Sequence, residues 1–113
     1  MTVGELIEAG VFQLLNQGDN LEQKITKPFC CDLLSICMTK TPEGAAWVTV
    51  IGNVNTLAVL TLTDAACIIL AEGAFLDEAA AQKAKEQGIT VFATDLPIFE
   101  AALKVYELRH ASA

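Results

Sequence analysis

The residues in this chain best suited to chemistry lie in three short loops, and their types suit ligand binding. Glycines let a ligand approach the backbone, asparagines donate and accept hydrogen bonds, and carboxylates accept them from a ribose, a sugar or an amine. The candidate ligand-binding residues are Gly52, Asn53, Asn55, Glu72, Gly73, Thr94 and Asp95. No partner nucleophile accompanies the carboxylates, and the phosphate-binding pattern GxxxxGK followed by Ser or Thr does not occur. We therefore expect no catalytic residue, no metal and no cofactor.

Each candidate also has a purely structural interpretation. Gly52 and Gly73 suit tight turns, Asn53 and Asp95 suit helix caps, and Glu72 suits a solvated surface. The residue types alone leave both interpretations open.

Three apolar runs would position these loops, and a helix-sized segment follows each of them. The runs are residues 47–51 (WVTVI), 66–70 (ACIIL) and 89–93 (ITVFA). This alternation of apolar runs and helix-sized segments predicts a small α/β domain with a mostly parallel sheet, in which the C-terminal half of the chain is β-α-β-α-β-α. Ligands bind such sheets beyond the carboxyl ends of the strands, so the three loops should meet at one edge.

The segment between the first two runs is ambiguous, because it alternates like a strand but has the length of a helix. Parallel strands need a crossover, usually helical, which predicts a helix over 55–63 with Asn53 or Asn55 as its N-cap. Asp77 should cap the next helix and Gly88 should end it. The last helix should open at Asp95, with Pro97 in its first turn, and run to about Leu108.

The N-terminal third is less regular. Thr2 and Glu5 form a capping box and Gly10 is a stop signal, which predicts a helix over 3–9, followed by a strand over 11–16.

Residues 17–20 then predict a turn, and 21–29 an extended segment in which Pro28 rules out a central strand. A helix should begin near Asp32 and end at 41–44, which contain proline and glycine. Its apolar stripe is Leu33, Leu34, Ile36 and Cys37.

Composition restricts the partners. The 113 residues fit one domain, with a core over about 20–108, and the formal net charge of −7 with seven Lys and Arg provides no basic patch for nucleic acid. The apolar fraction is 53%, but it comes in short pieces that cannot span a membrane. The N-terminus lacks the pattern of a secretory signal, so we expect a cytoplasmic protein that binds neither nucleic acid nor membranes.

Four cysteines and one histidine are the remaining candidates for special chemistry. Cys30, Cys31, Cys37 and Cys67 contain no CxxC pair, so we interpret them as buried reduced thiols and not as a metal site. His110 lies near the C-terminus, so we expect it to be a solvated residue of the tail.

The last helix carries more apolar surface than one sheet can cover. Its only polar positions between 98 and 108 are Glu100, Lys104 and Glu107. Monomers rarely expose large apolar patches, so this surplus predicts a homodimer with Phe99, Leu103 and Tyr106 in the interface. Alternatively, the N-terminal elements cover this face.

The run VTVIGNVNTLAVLTLTDAACIILAEGAFLDEAAAQKAKEQGITVFATDLPIFEAA, residues 48–102, resembles a DRTGG domain, which is named for Asp-Arg and Thr-Gly-Gly signatures after successive strands. The resemblance covers roughly residues 20 to 108. The segments KITKPFCCDLLSICMTK and AWVTVIGNVNTLAV are similar to stand-alone DRTGG proteins found near iron-only hydrogenase genes and labelled HPr-kinase-like regulators. The resemblance implies a fold like the N-terminal domain of HPr kinase/phosphorylase and the MurF-type substrate domain, a regulatory or ligand-sensing role, and dimerisation. The signatures themselves fall at Asn53-Val54 and Ala71-Glu72-Gly73, so the arginine that would pair with a phosphate is missing.

The leading hypothesis is therefore a non-catalytic regulatory module, homodimeric, whose strand-end loops bind a small molecule, such as a nucleotide or other anion, or a partner protein. The second is an assembly subunit without a small ligand, which would use the last helix and Trp47 as its contact surface. The third is a small enzyme with Glu72 or Asp95 as general base.

Overall fold

The computed structural model describes residues 1 to 111, which form a five-stranded sheet between two layers of helices. In chain order the elements are α1 (Val3–Ala9), β1 (Gln13–Asn16), β2 (Pro28–Cys30), α2 (Leu34–Lys40), β3 (Ala46–Thr49), α3 (Val54–Thr63), β4 (Cys67–Leu70), α4 (Glu78–Gln87), β5 (Val91–Ala93) and α5 (Ile98–Ala111).

The sheet has the order β1-β5-β4-β3-β2 and is mostly parallel. Strands β2, β3, β4 and β5 run in one direction, and only β1 is antiparallel, with a register shift between Leu14 and Asn16. The predicted β-α-β-α-β-α half is confirmed, and Pro28 opens an edge strand, where the missing N–H leaves no gap in the ladder.

Alternate side chains of the strands supply two apolar clusters, because successive residues point to opposite faces of a sheet. One face packs against α1 and α5 through Val48, Ile69, Phe92, Leu6 and Val105. The other face packs against α2, α3 and α4 through Trp47, Ile68, Leu70, Leu57 and Ala84. The helices therefore cover both faces, and only the two sheet edges and the strand ends remain accessible.

Trp47 belongs to the interior, so its predicted role in a contact surface is wrong. The side chain is fully buried in the cluster beneath α2, α3 and α4. Its indole Nε1 donates a hydrogen bond of 2.9 Å to the Cys31 carbonyl oxygen, which satisfies the one polar group of the ring.

The first helix follows its sequence signals closely. The Thr2 hydroxyl accepts from the Glu5 amide at 3.1 Å, and the Glu5 carboxylate accepts from the Thr2 amide at 2.8 Å. Gly10 ends the helix with φ of 68°, in the left-handed region that glycine tolerates. The predicted capping box, helix and stop are confirmed.

Helix α2 begins at Leu34, near the predicted start at Asp32. The Asp32 carboxylate bonds to the end of another strand. It accepts from the Thr49 hydroxyl at 2.7 Å and from the Val50 amide at 3.0 Å, which ties the end of β2 to the end of β3. Most of the predicted apolar stripe does not pack into the core. Of its four residues only Cys37 is buried, and Leu33 and Ile36 are exposed.

Helix α3 confirms the predicted crossover. It runs from Val54 to Thr63, and Asn53, not Asn55, is its N-cap. None of the helices within residues 1–111 combines the length and the apolar character needed to cross a membrane.

The C-terminal helix buries one side and exposes another. Ala101 and Val105 lie in the core beside α1, whereas Phe99, Leu103 and Tyr106 are 69%, 38% and 50% exposed. The N-terminal elements thus cover part of the apolar surface and leave these three side chains uncovered. His110 lies within this helix, exposed, with its ring centroid 4.2 Å from that of Tyr106.

The four cysteines are free thiols in different surroundings. Cys37 and Cys67 are buried, as predicted, but Cys30 is exposed and Cys31 is half-buried, so the burial prediction is wrong for Cys30. Within residues 1–111 no group of three or more His, Cys, Asp or Glu is arranged to hold a metal ion.

Alkylation of the native protein should modify Cys30 and leave Cys37 and Cys67 unmodified. Burial raises the pKa of Cys67 to about 12, and burial together with the neighbouring Cys31 raises the pKa of Cys37 to about 12. Neither thiolate then forms near neutral pH. Iodoacetamide labelling followed by peptide mass spectrometry measures this, with labelling in guanidinium as the control that modifies all four. Fast labelling of Cys67 in the native state would contradict the fold.

Candidate ligand-binding rim

The loops that follow β3, β4 and β5 lie side by side at one edge of the sheet. The three strands are parallel neighbours, with Thr49 opposite Leu70 and Leu70 opposite Ala93. We call these loops, residues 50–53, 71–77 and 94–97, the rim. The predicted convergence of the three loops is therefore confirmed.

A tight turn opens the central loop. The Ala74 amide donates to the Ala71 carbonyl at 3.0 Å, and Glu72 and Gly73 between them have φ of 61° and 72°. Two positive φ values inside a four-residue turn are the pattern of a type I′ turn, which glycine adopts freely and glutamate at a cost of about 1–2 kcal/mol. Gly73 therefore has a conformational reason to be glycine.

This turn is bonded to the loop after β5. The Glu72 amide donates to the Leu96 carbonyl at 2.8 Å, and the Gly73 amide donates to the Thr94 carbonyl at 3.0 Å. The Thr94 hydroxyl accepts from the Leu96 amide at 3.2 Å. The backbone of the two loops is thus held as one unit.

Gly52 joins the central loop to the loop after β3. A Cβ atom on Gly52 would lie 2.1 Å from the Phe75 carbonyl oxygen, so only glycine fits there. The Asp77 amide donates to the Gly52 carbonyl at 2.9 Å. The close backbone approach that glycine allows here is to the protein itself.

Two helix N-termini at the rim are capped by their predicted residues. The Asn53 side-chain oxygen accepts from the amides of Asn55 at 2.9 Å and Thr56 at 3.4 Å, at the start of α3. The Asp77 carboxylate accepts from the Ala80 amide at 2.8 Å, at the start of α4. These side-chain oxygens already satisfy some of the donors that an anion would use, namely the Asn55, Thr56 and Ala80 amides.

The third N-terminus is capped by a residue from another loop. Helix α5 begins at Ile98, so the prediction that it opens at Asp95 is wrong, and Pro97 directly precedes it. The Ile98 amide donates to the Glu72 carboxylate at 3.3 Å. Glu72 thus caps α5 through a tertiary contact, although it lies 26 residues earlier in the chain.

Phe75 is the residue of the rim that sequence reasoning missed. Its side chain is 78% exposed. It lines three adjoining depressions: one toward β5 of about 360 Å³, one toward β3 of about 410 Å³, and a groove along α4 of about 970 Å³. No local signal marks this residue, because the loop sequence AEGAFLD suits a buried phenylalanine as well as an exposed one.

The structure divides the seven predicted residues among these features. Gly73, Thr94 and Asp95 line the β5-side depression, together with Gln13 and Leu15 of β1.

Gly52 and Asn53 line the β3-side depression together with Asp77. Glu72 and Asn55 line none of the three, since Glu72 caps α5 and Asn55 lies on the exposed first turn of α3.

Negative charge dominates the rim. Asp95 lines the β5-side depression, Asp77 the β3-side one, and Glu78 the α4 groove. Lys85 is the only Lys or Arg among the residues that line the three depressions, and it lies in the α4 groove.

Replacing Asn53 by alanine should lower the free energy of unfolding by about 0.5–2 kcal/mol, because the cap of α3 is lost. Asn55→Ala is the matched control, since that exposed side chain accepts no capping bond. Urea denaturation of both variants measures the difference. Equal loss in the two variants would contradict the assignment of the cap.

The rim and its helices define a three-layer α/β protein with a mostly parallel sheet. No family model and no curated protein matches the sequence. Among solved structures, the chain is similar to the CBS and DRTGG domains of the regulatory region of Clostridium perfringens pyrophosphatase, determined with the activator diadenosine tetraphosphate. The TM-score is 0.70 at 15% identity, and the alignment covers 92% of this chain but only 45% of that chain. This likeness is one of fold, and it agrees with the DRTGG-like architecture that the resemblance implied.

Proposed function

We propose that this chain is a non-catalytic regulatory module that senses a small molecule at the rim. The observation that carries the proposal is the exposed ring of Phe75, which stands where three depressions meet beyond the carboxyl ends of parallel strands. Ligands of open α/β sheets bind at this position, and an aromatic ring there provides a stacking surface.

The dimensions of the depressions support this proposal. Ligand pockets usually measure about 300–1,000 Å³ and combine apolar walls with a few polar groups. The β5-side depression, of about 360 Å³, combines Phe75 and Leu15 with the polar side chains of Thr94 and Asp95. A ring stacked on Phe75 would reach these polar groups.

The fold also supports a regulatory role. The similar solved region belongs to the regulatory part of a pyrophosphatase and holds an activator. At the rim of the present chain, Glu72 and Asp77 serve as helix caps, so Asp95 is the carboxylate without a capping role among those that line the β5-side and β3-side depressions. Residence in the cytoplasm and a role near hydrogenases are parts of the proposal that rest on composition and on the DRTGG resemblance.

A thermal-shift experiment tests the proposal. Adenosine, AMP, ATP and diadenosine tetraphosphate are added to the wild-type protein, to Phe75→Ala and to Phe99→Ala. A ligand at about 100 times its Kd stabilises the native state by about 2.7 kcal/mol. At least one probe should raise the Tm of the wild type and of Phe99→Ala, but not that of Phe75→Ala. Phe99 is the matched control, because it is a similarly exposed phenylalanine on α5. No shift with any probe, or an equal shift in Phe75→Ala, would contradict the proposal.

Assembly through α5 is a second candidate function, which also fits a homodimer. Phe99, Leu103 and Tyr106 line an apolar depression of about 300 Å³ together with Ala102 and Pro28. Light scattering coupled to size exclusion should give a dimer for the wild type and a monomer for Leu103→Glu. Leu62→Glu, at an exposed leucine of α3, is the control that should stay dimeric. A monomeric wild type would remove this candidate.

A further inference from the structure

We infer that the ligand stacked on Phe75 is a planar ring that carries an amino group and no phosphate. This inference rests on the proposed function and specifies the chemical class of its ligand. It follows from three features of the rim: the state of the helix N-termini, the position of the cations, and the acceptor beside Phe75.

The helix N-termini at the rim are poorly suited to phosphate, because side-chain oxygens of the protein already accept from some of their amides. In α/β folds such N-termini bind phosphate through free backbone amides and the positive end of the helix dipole. Here Asn53, Asp77 and Glu72 of the chain occupy these positions with their own side-chain oxygens. Two of the three are carboxylates, so a phosphate would have to displace a negative charge or lie next to it.

The β5-side and β3-side depressions contain no Lys or Arg among their lining residues. Lys85 is the one Lys or Arg that lines the depressions around Phe75, and it lies toward the C-terminal end of α4. Its position is seven residues beyond Glu78, about 10 Å farther along the helix axis. A phosphate in the β5-side or the β3-side depression would therefore lie beside Asp95 or Asp77 and not beside a cation.

The acceptor beside Phe75 suits an amine. Asp95 lines the same depression as Phe75 and has no hydrogen-bond or ion-pair partner within residues 1–111. A carboxylate only accepts hydrogen bonds, and bonds to a charged acceptor are about twice as strong as neutral ones. An amino group on the ring would donate to Asp95 while the ring stacks on Phe75, so one ligand would contact both side chains at once.

Isothermal titration with adenosine, purine riboside and AMP tests the inference. Purine riboside lacks only the amino group, and AMP adds only a phosphate. Adenosine should bind about tenfold more tightly than either, since one charge-assisted hydrogen bond or one close like-charge contact has about that effect. In Asp95→Asn the preference of adenosine over both competitors should shrink severalfold. Asp64→Asn is the control with unchanged preferences, because Asp64 ends α3 away from the rim.

The outcomes separate the inference from the proposed function. Binding of AMP as tight as that of adenosine, lost in Phe75→Ala, would overturn the inference and leave the sensing role intact. Equal binding of purine riboside and adenosine would overturn the role of the amine in the same way. The absence of Phe75-dependent binding by any of the three probes would overturn both.

Discussion

Replacing Gly52 by alanine is expected to lower the free energy of unfolding by about 1–3 kcal/mol, the usual cost of forcing an atom into a filled space. The added Cβ would lie 2.1 Å from the Phe75 carbonyl oxygen and 3.2 Å from the Leu76 Cα, and backbone atoms cannot rotate away as a side chain can. The central loop must therefore move. Its bond from the Asp77 amide to the Gly52 carbonyl should break with that movement.

The same substitution should also abolish ligand binding, because Phe75 is carried by the displaced backbone. Urea denaturation and titration with adenosine measure the two effects. Gly10→Ala is the matched control: Gly10 has φ of 68° but no atom closer than 4.0 Å to an added Cβ. It should lose about 1 kcal/mol from backbone strain and keep its affinity. A Gly52→Ala variant with native stability and affinity would show that the three loops are not held together as described.

Truncation of Trp47 to alanine is expected to have the largest effect on stability, about 3–5 kcal/mol. The indole is fully buried, and the change would leave a cavity beneath α2, α3 and α4. The Cys31 carbonyl would also lose its donor. Circular dichroism during urea denaturation measures the loss, since the variant has no tryptophan left to report by fluorescence.

Phe75→Ala is the matched aromatic control for Trp47→Ala. It removes an exposed ring and should change the free energy of unfolding by no more than about 0.5 kcal/mol. Comparison of the two variants thus distinguishes an effect on stability from an effect on ligand binding. If Trp47→Ala instead left stability unchanged and altered the oligomeric state, the ring would be a surface residue and the described core would be wrong.

Local signals predicted those elements whose partners lie within a few residues. The Thr2–Glu5 capping box, the Asn53 cap of α3 and the Asp77 cap of α4 all bond to amides two or three positions away. Such bonds depend on residue type and spacing alone. The order of strands and crossover helices could also be predicted from the sequence, because parallel strands require long connections.

Sequence reasoning failed where a side chain finds its partner far along the chain. The bonds that the Asp32 carboxylate accepts from the Thr49 hydroxyl and the Val50 amide join residues 17 and 18 positions apart, so no local pattern predicts them. Asp95 looks like the cap of α5, but Glu72 has that role from the neighbouring loop.

The predicted contact role of Trp47 is wrong because β3 lies inside the sheet with both faces covered. Phe75 presents the opposite case, since nothing in its local sequence distinguishes an exposed aromatic residue from a buried one. The exposure of a side chain depends on which distant elements pack against it, and the spacing of residues in the sequence does not predict this.

The sequence by itself determined the α/β class, the three parallel strands, most helix ends and the edge at which three loops meet. These features depend on periodicity, capping and chain connectivity, all of which are local or topological. Only the tertiary structure decided which loop residues are used up in caps and backbone packing and which remain for a ligand. That division depends on hydrogen bonds and steric contacts between loops that are neighbours in space but 20 or more residues apart in the chain, as between Gly52 and Phe75 or Glu72 and Ile98.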